Sequence, residues 1–128
     1  MPASLYQFAP AVAVVVLVIA AMVTGLRPIH SWLVPGTVCG LFAGWSIFTV
    51  AIEGPFGFWA NHTQNAWGNQ VWFDLLIAIG IGWALILPRA HAAGMHRWPW
   101  LALILCTGCI GFSAMLARCL YLETHRSA

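Results

Sequence analysis

Between residues 5 and 26 the chain carries no charged side chain, and the middle of that run reads AVAVVVLVIAAMV. This feature most constrains the fold. About 20 consecutive apolar residues match the ~30 Å hydrocarbon core of a bilayer. Three more apolar segments follow at about 32–52, 69–87 and 98–121, separated by short polar or Gly- and Pro-marked stretches. Only 6% of the 128 residues are charged and 62% are hydrophobic. A soluble domain carries roughly 25% charged residues, so this composition does not suit a surface facing water. In lipid every backbone polar group must be paired internally, which leaves helices or closed barrels. Barrel strands alternate polar and apolar residues, and these segments do not. The expectation is an all-α integral membrane bundle, a single domain over 1–128 with four transmembrane helices.

No basic residue precedes the first apolar run, as a secretory signal would require, so that segment is expected to be a retained span. The five cationic residues are all arginines and the net charge is +2, too small and too scattered for a nucleic-acid partner. In a four-span layout the stretches 27–31 and 88–97 share one side. They hold Arg27, Arg89 and Arg97, against Arg118 and Arg126 on the other side. Three against two favours a cytoplasmic location for 27–31 and 88–97.

Asp74 is the anomaly: WGNQVWFDLLIAIGIGW places a carboxylate inside an apolar segment. Counted from Asn69, it lies about 7–8 Å into its helix. An unpartnered charge there costs roughly 1–3 kcal/mol. Gln70 at i−4 and Trp67 at i−7 share its face. In antiparallel geometry the fourth segment ends on the side where the third begins, so Arg118, about three residues before that end, is expected within reach as a counter-charge. Glu53, His62 and Asn65, with Tyr6 and Gln7, cluster by sequence at the same end. These residues suggest a polar pocket opening toward the 53–68 loop, with Asp74, Arg118, Gln70, Trp67, Glu53 and His62 as ligand-binding candidates. Asp74, His62 and Glu53 are the catalytic candidates. A purely structural Asp74–Arg118 pair is the competing reading.

Other motifs carry less. Cys106 and Cys109 form a C-x-x-C within an apolar segment with no second ligand pair, and read as small packing residues. His91 and His96 are spaced i, i+5, poor geometry for a metal site, and no metal or cofactor motif is evident. Asn61-His62-Thr63 matches a glycosylation sequon and nothing supports its use. Gly36, Gly40 and Gly44 recur every four residues and make a smooth face for helix packing or a homo-oligomer.

The stretch NAWGNQVWFDLLIAIGIGWALILPRAHAAGMHRW, with the following WLALILCTGCIGFSAMLARCLYLE, resembles an uncharacterised family of small four-helix bacterial inner-membrane proteins, a domain of unknown function. The resemblance lies mainly in the C-terminal half. It rests on Asp74 early in the third helix, the PRAHAAGM turn and the Leu120-Tyr121-Leu122-Glu123 ending. It implies a multi-pass protein of the cell inner membrane and no established activity. The layout is also similar to small carotenoid-pathway membrane proteins with an aspartate in a helix, but lacks the paired-acid motif of small lycopene cyclases. Three functions follow as expectations. The first is an accessory protein that binds membrane lipids or another hydrophobic molecule, or docks on a larger membrane complex. The second is an enzyme acting on an isoprenoid or other lipid, with Asp74 as acid or base. The third is a subunit of an oligomeric transporter or channel.

Overall fold

In the computed structural model, residues 3–26 and 31–126 are described, and every regular element among them is a helix. The all-α class is as expected. The chain divides into two compact units, residues 1–30 and 31–128. The first contains one helix, α1 (Ala3–Leu26), apolar from Phe8 to Val23 and interrupted in composition only by Pro10.

The second unit contains five helices: α2 (Leu33–Glu53), α3 (Gly57–Thr63), α4 (Ala66–Ala92), α5 (Arg97–Thr107) and α6 (Cys109–Arg126). Two of them, α2 and α4, are long and apolar enough to cross a membrane. At 1.5 Å per residue they measure about 31 and 40 Å. The apolar stretch of α1 is shorter.

In the second unit α6 lies between α2 and α4. It runs antiparallel to α2, because Trp32 packs edge-on against Tyr121 at 5.8 Å, Gly36 faces Ala117, and the Cys39 thiol donates to Ile110 O at 3.5 Å. With α4 it runs in the same direction: Gly82 lies under the Phe112 ring and Arg89 meets Glu123. Ile86, Ala90, Ala93, Met95, Ile104, Met115 and Cys119 form the core, so the packed part of the unit sits where α4 ends and α5 begins.

The fourth expected span, 98–121, is instead a helical hairpin. α5 ends at Gly108, whose φ of 60° and ψ of −125° leave the helical region. A positive φ at this reversal favours a residue without Cβ. Thr107 braces the turn, its hydroxyl donating to Leu103 O at 2.7 Å and accepting from Gly111 N at 3.0 Å. Gly111 then lies directly on the Leu103–Ile104 backbone. Returning, α6 ends beside the turn that α5 left, with Arg126 donating to Ala92 O at 2.7 Å. Eleven residues of α5 reach about 16 Å, near half the hydrocarbon thickness.

Two other boundaries shift. The loop expected over 53–68 contains α3, a seven-residue helix packed on the start of α4. Where 69–87 was expected, α4 covers 66–92. Asn65 caps it by accepting from Gly68 N at 2.8 Å. At its other end, Pro88 is tolerated and the helix continues into the core cluster.

Candidate functional site

The structure sorts the polar residues of the second unit to two ends. One end holds Glu53, α3 and the first turns of α4. The other holds Trp32, the 93–96 turn and the last turns of α4 and α6, and every described arginine.

At the first end, the Nδ1 of His62 donates to Phe58 O at 2.6 Å while its ring stands edge-on to Trp72, 5.2 Å away. Phe58 stacks on the same indole at 6.1 Å. Asn69 Nδ2 donates to His62 O at 2.7 Å, and the Gly68 backbone packs against Asn61 O, so α3 is clipped to α4. His62 is therefore engaged in holding this corner. Glu53 is the exposed last residue of α2, its carboxylate lying alongside Gly57. Trp67 is 80% exposed, and Gln70 is exposed as well.

Asp74 is exposed on α4 and has no hydrogen bond or ion pair among the described residues. It is deeper than its sequence position suggested, because α4 starts at Ala66, which puts it about 12 Å along the helix. The structure does not bring it to Glu53, His62 or Gln70 through any bond. Arg118 is not its counter-charge. Asp74 lies about 12 Å to one side of the Gly82–Phe112 contact, and Arg118 about 9 Å along α6 to the other. The hairpin at Gly108 is the reason, since it returns the end of the chain to the side opposite the one a fourth full span would reach. Arg118 instead lies over the Tyr121 ring, 5.6 Å from its centroid. Arg27, His30 and the side chain of Gln7 lie outside the described residues.

The ion pair that does form joins α4 to α6. Arg89 meets Glu123 through two parallel bonds, Nε to Oε1 at 3.0 Å and Nη2 to Oε2 at 2.7 Å. Both side chains are more than a third exposed (52% and 37%), so the pair adds geometry more than energy. The Cys119 thiol donates to the same carboxylate at 3.6 Å. Sequence reading missed this pair because it assigned residues 89 and 123 to opposite sides. The available signal was that Arg118, Glu123, His125 and Arg126 crowd an ending that lipid alone would not favour.

Two cavities lie at the arginine-bearing end. One, of about 430 Å³, sits at the 93–96 turn between His91 and Trp98. The other, of about 240 Å³, is a groove between α4 and α6 around Gly82, Arg89 and Phe112. Searches against protein-family models, curated proteins and solved structures find no match for this chain.

Proposed function

We propose that the protein is a small multi-pass membrane protein that binds a hydrophobic molecule or docks on a membrane complex through the Asp74-bearing half of α2 and α4. One observation carries the reading. Beyond the depth where α6 begins, Leu41, Phe42, Ile47, Val50 and Ile52 of α2 are exposed, as are Val71, Phe73, Leu76, Ile77 and Ile81 of α4. An apolar surface of that extent needs a cover of lipid, ligand or protein. Asp74 on the same half is the polar group that would orient an occupant, since an intramembrane carboxylate is a functional hypothesis by default. Gly40 and Gly44 favour a second copy as one such cover, because an added Cβ at either meets nothing within 4 Å.

The arginine-bearing end is assigned to the cytoplasm. The hairpin brings Arg118 and Arg126 to the end that holds Arg89 and Arg97, while Glu53 and Asp74 mark the other. That asymmetry supports the orientation more strongly than the three-to-two count from sequence.

The test is extraction. The protein should stay in the membrane pellet at alkaline pH and dissolve only with detergent. An organic extract of the purified protein should contain an apolar compound that Asp74→Asn loses. Release by alkali refutes the membrane reading; an extract no different from that of an unrelated membrane protein refutes the ligand.

A further inference from the structure

The cavity at the 93–96 turn is lined by chemistry that the proposed function does not use. Its walls include Leu87, His91, Met95, His96, Arg97 and Trp98, and its volume is about 430 Å³. Arg97 is exposed, lies over the Trp98 ring with its guanidinium 5.0 Å from the centroid, and pairs with no carboxylate among the described residues. The Arg89–Glu123 ion pair lies at this same end, and among the described residues that line the cavity there is no carboxylate.

The turn is fixed rather than loose. Gly94 has a φ of 76°, and an added Cβ there would come within 2.9 Å of the Arg126 guanidinium. The same guanidinium donates to Ala92 O. The cavity floor is thus stapled to the end of α6. Its rim is the start of α5, where His96 supplies no side-chain cap; Pro99 has no N–H, so the backbone donors at this first turn are those of Arg97 and Trp98.

We infer that this cavity is a binding site for a phosphate-bearing anion, the headgroup of an anionic phospholipid. The inference rests on the membrane reading above, which puts the cavity at the interface where such headgroups lie. Two features favour a lipid over free phosphate. Leu87, Met95 and Trp98 give the cavity an apolar side, and the Trp98 ring, 66% exposed, offers a surface on which an acyl chain can lie. Basic pockets at the cytoplasmic ends of spanning helices are also a recurrent headgroup site. Arg97 supplies the planar donor fork, and the two histidines supply further donors at the rim.

Native mass spectrometry of the detergent-purified protein tests this with phosphatidylglycerol, phosphatidylcholine of matched chains, and inorganic phosphate. The wild type should retain phosphatidylglycerol in preference to phosphatidylcholine. Arg97→Gln should weaken phosphatidylglycerol retention about fivefold and leave phosphatidylcholine unchanged, and Arg97→Lys should restore part of the loss. Arg118→Gln, at the same end but outside the cavity, should have no effect. Equal loss in the Arg97 and Arg118 variants would reduce the effect to general surface attraction and overturn the site. So would unchanged retention in Arg97→Gln. Displacement of the lipid by inorganic phosphate at equal concentration would assign the cavity to the free anion and overturn the lipid. None of these outcomes depends on the alkaline extraction, so the two readings fail separately.

Discussion

Replacing Gly111 by alanine puts a methyl group into the one place where the hairpin has no room. Its Cβ would lie 2.8 Å from Thr107 Oγ1, 2.9 Å from Ile104 N and 2.9 Å from Leu103 C. Two of those three atoms are backbone, so relief requires α5 and α6 to separate. Overpacking of this kind costs about 1–3 kcal/mol. Separation also weakens the bond from Gly111 N to Thr107 Oγ1, worth about 1 kcal/mol. The expected loss is about 2–4 kcal/mol. Gly80→Ala is the matched control, an interior helical glycine of α4 with open space at its Cβ. There alanine should be neutral or stabilising by up to about 1 kcal/mol. Equilibrium unfolding in mixed detergent and dodecyl sulfate, followed by tryptophan emission, measures both. A Gly111→Ala protein as stable as Gly80→Ala would refute the close approach of α5 and α6, and with it the hairpin.

Four further outcomes are expected. Reporters at the C-terminus and in the 93–96 turn should be accessible from the same face of the membrane, and opposite faces would restore a full fourth span. Met115→Ala, at a fully buried position of the core, should cost about 2–5 kcal/mol in the same unfolding assay. A double-mutant cycle of Arg89→Gln and Glu123→Gln should give a coupling of about 0.5–1 kcal/mol that falls with added salt. The cycle of Asp74→Asn with Arg118→Leu should give no coupling beyond about 0.5 kcal/mol, since the two groups lie at opposite ends.

How much of this was legible in the sequence varies by segment. The cores of α2 and α4 follow from uninterrupted apolar runs, and the Gly-Pro and Asn-rich stretch after Glu53 marks the break between them. The hairpin was not legible from hydropathy, because ILCTGCIGF is apolar on both sides of Gly108 and a reversal at one glycine leaves the average unchanged. Gly108 and Gly111 were both present, but a small residue in an apolar segment reads equally as a helix contact, which is what Gly111 is. The error at Asp74 followed from that one. Its proposed partner was chosen by assuming that the last segment ended where α4 begins. Once the chain turns back, the distance alone removes Arg118. α3 was missed for a different reason: seven residues between glycines and asparagines are too few for periodicity to register.

The hairpin also bears on how the chain enters a membrane. Because α5 and α6 leave and return to one end, no charged tail has to cross the bilayer with them. With the arginine-bearing end cytoplasmic, as proposed above, the 54–65 stretch between α2 and α4 would lie on the far side, and it contains neither lysine nor arginine. Arg89, Arg97, Arg118 and Arg126 would all stay on the side of synthesis. On that proposal α5 and α6, about the last quarter of the chain, would insert as a unit against α2 and α4, at a depth set by Thr107 and Gly108 rather than by the thickness of the membrane.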